Sequence, residues 1–501
     1  MAEIRLIDTT FRDGQQCLWA TRMSTAMMLP VAERLDRAGF EAIELFGAVQ
    51  FDTAVRYLKE DPWERLRMMR ARIEETPLQA LIRSACVLGF EPQPDDLNAL
   101  WAERLVANGI RSFVAFDGLH DLDNLKPAIR RANELGVPTT GWLTFSDSPV
   151  HSDALYAEKA REFVEDCGAA SVMIEDASGV LTPERVRTLV PAVKAVIGER
   201  PLGLHSHGLI GLPQRSYLAA AELGIAALYT CVPPVADGNA PPNVFTTIGN
   251  LRACGYEVPV DEQVLAPVSE HFMACAKRER MPVGQPQDFD APSLLHQIPG
   301  GVLSNLKAQL ASLGQEECLP AVLEECGRVR AELGWPIQVT PFAQLIGVQA
   351  TLNVIGGGER YSKVPDEVKK YAFGYYGKLL APVEPDVLDR IAENGPRSVS
   401  ESVPERRPVV ASLRKLYPDA TDDELILRHA FKGSEVDEMT TSRPDYGAYA
   451  LLETPLVRLV RNLTERPGPI RVSVRKADFE MTYSSGPGSS GPGSSGLGTA
   501  S

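Results

Sequence analysis

Eight short apolar runs recur through the first 255 or so residues, each followed by a stretch with apolar residues at helical spacing. The runs are EIRLIDT, EAIELFG, LQALIRS, SFVAFDG, TTGWLTF, SVMIEDA, LGLHSHG and AALYTCV. Between them lie amphipathic segments such as DLDNLKPAIRRANELG and SDALYAEKAREFVEDCG, which end in glycine just before the next run, as helix C-termini often do. Continuous four- to six-residue apolar runs alternating with helices read as a parallel sheet, and eight evenly spaced units predict closure into a (β/α)8 TIM barrel rather than a doubly wound sheet. From about 259 the pattern is mostly helical, as in PAVLEECGRVRAELG and DDELILRHAF, and the chain finishes in a run rich in Gly, Ser and Pro. The expected organisation is therefore α/β: a barrel over 1–258, a helical C-terminal domain over 259–483, and a flexible tail over 484–501.

Composition narrows the class. The chain has 501 residues, 44% hydrophobic, with a formal net charge of −15. That charge argues against a non-specific nucleic-acid binder or a binder of anionic membranes. No run of about 18 apolar residues is present, so no membrane span is expected. The start MAEIRLIDTT lacks the pattern of a signal peptide. Eight single cysteines form no C-x-x-C pair, which suits a reduced, cytoplasmic protein. Cys17, Cys86, Cys231 and Cys254 lie in or beside apolar runs, where a buried thiol is expected.

In a barrel of this kind chemistry sits where strands end. Those ends carry Arg12 and Asp13, Asp52, Arg83, Asp117, Glu175, His205 and His207. His205 and His207 are two apart in a strand, so both rings point to one side. Two imidazoles facing carboxylates read as a metal pair, with Asp13 a third ligand of suitable type. Such a set favours Zn, Mn or Co over Mg. Glu175, in VMIEDASG, is read two ways: as a functional carboxylate, or as an ordinary acid at a strand end that caps the next helix.

The segments DTTFRDGQQ (8–16), EDPWERLR (60–67), SPVHS (148–152), HQIPGGVLSNL (296–306), TPFAQLIGVQA (340–350) and GYYG (374–377) resemble the carboxyltransferase family. This family comprises the carboxyltransferase domain of pyruvate carboxylase, the alpha subunit of oxaloacetate decarboxylase and the large transcarboxylase subunit. The resemblance runs from about residue 3 to 440. It implies metal ligation by Asp13, His205 and His207, substrate holding by Arg12 and Gln16, a second substrate- or cofactor-site arginine at Arg83, and pocket acids at Asp52 and Asp117. It also implies a small 2-oxo acid such as pyruvate or oxaloacetate, an enolate on the reaction path, and a homodimer.

The chain departs from the family at several pocket positions. Glu175 stands where the family has a lysine that is carbamylated and bridges to the metal. A glutamate is shorter by three bonds, roughly 3–4 Å of reach. Glu175 is left as a candidate catalytic group or further metal ligand. Phe90 occupies a position that is usually tyrosine. The loop ADGNAPP (236–242) has Gly238 in place of a threonine, and its Gly-Asn resembles isopropylmalate synthases and hydroxymethylglutaryl-CoA lyase. Asn239 is accordingly a candidate ligand or substrate contact, or simply an asparagine in a Pro/Gly turn. None of the eleven methionines precedes lysine, so biotin, if used, is expected on a separate carrier protein. Three functions stand open: a metal-dependent carboxyltransferase or decarboxylase, a biotin-independent C–C lyase or Claisen/aldol-type condensing enzyme, and a non-catalytic subunit of a carboxylase complex.

Overall fold

In the computed structural model all eight apolar runs are strands: β1 (Arg5–Asp8), β2 (Ala42–Phe46), β3 (Leu78–Arg83), β4 (Ser112–Phe116), β5 (Thr139–Thr144), β6 (Ser171–Asp176), β7 (Leu202–Ser206) and β8 (Ala227–Thr230). They pair in sequence order, all parallel, and β8 closes on β1, with Leu6 opposite Leu228. The described residues are 2–86, 88–89, 91–449, 470–476 and 479–485. Helices cover the outside because the sequence builds them so. In Pro183–Ile197, for example, the Thr182 side chain accepts from the Arg185 N–H and proline takes the first turn. Val186, Leu189, Val190, Val193 and Ile197 then form one buried stripe.

By compactness the chain divides into two units, Met1–Tyr446 and Gly447–Ser501. Residues on both sides of position 258 fall within the first. One apolar cluster explains why: it runs from the barrel interior (Val114, Phe116, Trp142, Tyr229) into helices Gly300–Ser312, Leu319–Glu332 and Phe342–Ile355, through Leu310, Val329, Phe342 and Ile346. The barrel mouth and the following helices thus share one core. In the second unit, β9 (Ile470–Lys476) and β10 (Phe479–Ser485) form an antiparallel hairpin where a mostly helical pattern was expected. Its alternating IRVSVRK and β-branched content favour a strand. Beyond Ser485 the expected tail lies outside the described residues.

A polar layer also lies between barrel and helices. Arg330, 1% exposed, donates to Ser146 Oγ (2.6 Å) and to the Asp147 carbonyl (3.0 Å). Gln297 donates to the same carbonyl, 2.8 Å. His120 and His151 are buried alongside, each ring edge-on or tilted to Tyr156. Burial holds both imidazoles neutral, His120 down to about 3 and His151 to about 2.

That burial has a pH signature. The unfolded chain protonates these histidines below about pH 6.5, the folded chain only near 3 and 2, so stability falls as pH falls through this window. Wild type should lose about 2.7 kcal/mol more per pH unit between 6 and 4 than the His120→Asn/His151→Gln variant. Denaturant unfolding of both proteins at several pH values measures the difference in slope.

Candidate active site

The chain after β1 makes one wide π-helical turn, Thr10–Gly14, before the short helix Gln15–Leu18. Thr9 caps it, its hydroxyl accepting from the Asp13 N–H at 3.2 Å. Extra turns of this kind often mark functional sites. Here the turn sends Arg12, Asp13, Gln16 and Cys17 into the wall of a cavity of about 740 Å³ at the barrel mouth. Arg83, Glu175, His207 and Asn239 line the same cavity.

Three of the expected ligands converge. His205 Nε2 lies 2.9 Å and His207 Nε2 3.0 Å from Asp13 Oδ2. Among the described residues this is the group of three His, Cys, Asp or Glu side chains whose donor atoms all fall within 4.8 Å of one another. The His207 Nδ1–H donates to the Asn239 carbonyl at 2.7 Å, so Nε2 is the nitrogen turned toward Asp13. An outer carbonyl fixing the tautomer in this way is the usual support of a metal-ligating histidine. Burial alone would raise the Asp13 pKa, but Arg12 and the two imidazoles outweigh it and hold the carboxylate well below its usual range. Burial keeps His205 neutral, down to about 4. Burial disfavours the His207 charge, but Asp13 and Cys17 outweigh it and raise its pKa well above the usual value. An anionic oxygen flanked by two imidazole nitrogens at this spacing fits a divalent cation, which would take the place of the proton on His207 Nε2.

Arg12 is locked beside this group. Its Nη1 is 2.9 Å from Asp13 Oδ1, its Nε is 2.9 Å from Glu44 Oε2, and the guanidinium lies over the Trp142 ring at 5.7 Å. Burial disfavours its charge, yet Asp13 and Glu44 together raise its pKa further. Its Nη2 is buried and has no hydrogen-bond partner among the described residues. Glu44, fully buried in β2, also accepts from the Thr9 hydroxyl. Gln50 donates from Nε2 to the Arg12 carbonyl (3.0 Å) and to Gln16 Oε1 (3.2 Å).

Glu175 sits at the end of β6, in register with His205 on β7, but stays outside the three-residue ligand group. Burial pushes its carboxyl up to about 7, with Thr144, His207 and Arg12 pulling the other way. Its Oε2 is buried without a hydrogen-bond partner among the described residues. The turn that follows needs Gly179, whose φ is +66° and where a Cβ would fall 2.4 Å from the His207 carbonyl oxygen. Asn239 contributes through its main chain. Its side chain is packed against Gly300, at which a Cβ would meet Asn239 Oδ1 at 2.0 Å.

Two expected pocket acids are not among the residues that line the cavity. Asp52 is on the helix Ala48–Thr53 and not at a strand end; it pairs with Arg56 at 3.0 Å and does not line the cavity. β2 ends at Phe46, so the helix has made a turn before Asp52 is reached. Asp117 is outside the lining too. It accepts from Ser84 Oγ (2.6 Å), the Leu119 and Asp121 N–H groups (2.8 and 3.0 Å) and Asn124 (3.0 Å), tying two strand-end loops together. Arg83 does reach the cavity and donates to the Gly89 carbonyl. Phe90 lies outside the described residues. Among the cysteines, Cys86 and Cys231 are buried as expected, whereas Cys254 is exposed and Cys17 is half-buried in the cavity wall, its Sγ 3.5 Å from Asp13 Oδ1.

Glu44 and Gln50 escaped the sequence reading. A charge in the middle of the apolar AIELF run was the available signal for the first, and GAVQ, with Gln three residues after a helix-starting Gly, for the second.

Known proteins place this geometry in a family. Residues 294–477 match the model of a conserved carboxylase domain. A pyruvate carboxylase subunit of Methanocaldococcus jannaschii is 39% identical over 400 residues, covering 79% of this chain and 70% of that protein. The 2-oxoglutarate carboxylase large subunit of Hydrogenobacter thermophilus is 35% identical, over 78% of this chain and 60% of that one. In fold, the chain is similar to the carboxyl transferase domain of Rhizobium etli pyruvate carboxylase, solved with pyruvate: TM-score 0.81 at 23% identity, covering 96% of this chain and 83% of that one. The chain belongs to the carboxyltransferase family that includes the pyruvate carboxylase subunits. Its closed eight-stranded barrel bears out the expected fold.

Loss of a ligand should show directly as loss of metal. Elemental analysis of purified wild type should find about one divalent ion per chain, and Asp13→Ala or His207→Ala should reduce this at least about tenfold. Retention of a full equivalent in both variants would rule out the ligand assignment.

Proposed function

We propose that this chain is a metal-dependent carboxyltransferase or decarboxylase acting on a small 2-oxo acid of the pyruvate or oxaloacetate type, through an enolate. One observation carries the reading: the Asp13–His205–His207 group and the buried Arg12 guanidinium come together from the turn after β1 and the end of β7 at a single cavity. A divalent ion held by those three side chains, Zn, Mn or Co by donor type, would supply Lewis-acid stabilisation of negative charge on the ketone oxygen. The Arg12 guanidinium and the Gln16 amide hold the acid. Because Arg12 is fixed before substrate arrives, its N–H needs no reorientation as charge develops. In oxaloacetate the bond to the departing carboxylate breaks, its electron pair passes into the enolate, and CO2 leaves.

Glu175 is the group placed to hold or release a proton at the enolate carbon, since it is buried in the cavity wall with a free oxygen and outside the ligand group. Arg83, from β3, supplies a second cation to the wall. The cavity volume suits a small acid together with a bicyclic ring, so biotin on a separate carrier protein is the proposed carboxyl donor or acceptor. A cytoplasmic homodimer completes the proposal; no helix among the described residues is long and apolar enough to cross a membrane.

The position of Glu175 also favours a second reading, a biotin-independent C–C lyase or condensing enzyme, because a glutamate outside the ligand group does not do the work of a bridging carbamate. Oxaloacetate decarboxylation by the metal-loaded protein separates the two. The first reading expects turnover stimulated by free biotin, with Arg12→Lys lowering kcat/KM about 100-fold and Glu175→Gln lowering kcat about 100-fold. Metal-loaded wild type without any turnover would shift the assignment to a different carbon–carbon bond.

A further inference from the structure

The helix Ala48–Thr53, which follows β2, begins at Gly47, and Gln50 is its third residue. Gln50 reaches back so that its Oε1 accepts from the Gly47 N–H at 2.9 Å, the return half of a capping box. This bond settles which end of the amide is which, because a backbone N–H only donates. The Nε2 end therefore faces Arg12 O at 3.0 Å and Gln16 Oε1 at 3.2 Å. A backbone carbonyl only accepts, so the second contact agrees with the first. Gln50 is fully buried, and both of its ends are satisfied by main-chain groups whose polarity cannot change.

The consequence falls on Gln16. Its oxygen is engaged by Gln50 Nε2, so its own Nε2 is what remains to face the cavity it lines. Turning that amide over would set two N–H groups against each other and cost a half-buried hydrogen bond. We propose that Gln50 is the positioning residue that fixes Gln16 as a hydrogen-bond donor, so that Gln16 Nε2 stands in the cavity wall beside the Arg12 guanidinium, two donor groups matched to a carboxylate. This rests on the 2-oxo acid reading and adds to it the device that sets the polarity of the acid-binding wall. Gln50 itself holds Gln16 and the Arg12 main chain.

The test uses the metal-loaded full chain, titrated with pyruvate by calorimetry and assayed with oxaloacetate. In Gln50→Glu one carboxylate oxygen keeps the Gly47 bond, while the other now accepts. Gln16 then turns its Nε2 inward and presents Oε1 to the substrate. The expected result is a pyruvate Kd weaker by about tenfold or more. The oxaloacetate KM should rise similarly with kcat within about twofold, the pattern of lost uniform binding. Gln50→Met frees the Gln16 amide without reversing it, so its loss should be only about threefold, smaller than that of Gln50→Glu. Gln16→Glu places a carboxylate oxygen on the cavity and should match Gln50→Glu, and the double variant should be no worse than either single one.

Metal content and melting temperature, measured for every variant, identify any that fails through folding. Should Gln50→Glu fail to fold, the ordering of Gln16→Glu below Gln50→Met below wild type decides. A pyruvate Kd in the Gln50 variants within twofold of wild type, or additive losses in the double variant, would overturn the positioning role and leave the 2-oxo acid reading standing. Wild type that binds no pyruvate would overturn both.

Discussion

A guanidinium shared between two buried carboxylates holds the mouth of this barrel in place. Arg12 lies 2.9 Å from Asp13 and 2.9 Å from Glu44, with Trp142 beneath it. None of these charges can be buried alone, and removing one partner from such a group typically costs about 3–5 kcal/mol. Asp13 belongs at once to this group and to the imidazole pair, so the same contact that stabilises the arginine fixes the carboxylate that faces His205 and His207. Fold and site are coupled through one side chain.

Around that centre, the polar groups are arranged in layers with defined directions. The Asn239 carbonyl sets the His207 ring, Gln50 sets Gln16, and Thr9 supports both the Asp13 backbone and Glu44. Each is anchored on a main-chain atom or a fully buried group. Ligand groups supported in this way are ready for substrate without rearrangement, which is where electrostatic stabilisation gains its strength. Gly300, at the start of a helix beyond the barrel, gives Asn239 the room it occupies. The C-terminal helices are therefore part of the site and share its core.

Much of this was legible in the amino-acid order. Parallel strands buried on both faces leave continuous apolar runs, and all eight were visible as such. An H-x-H at the end of one of them is a local statement, because residues two apart in a strand share a face whatever surrounds them. Asp13 was legible for a similar reason, being five residues past the last residue of β1. Asp52 was misplaced because a strand-end residue and one a turn later look alike in sequence. Asp117 does follow β4 directly, and it is the four hydrogen bonds it accepts that commit it to joining the loops.

The sequence by itself determined the barrel, the order of its strands, and the kind of chemistry at its mouth, since periodicity and residue type are properties of neighbours along the chain. Tertiary structure alone decided which polar groups meet. Arg12 finds Glu44, Gln16 finds Gln50, and Asn239 finds Gly300 across separations of 32, 34 and 61 residues. It also decided that Glu175 stands apart from the ligand group it was a candidate to join. Such outcomes depend on strand register and on a few ångströms of side-chain reach, and neither is encoded in any short stretch of sequence.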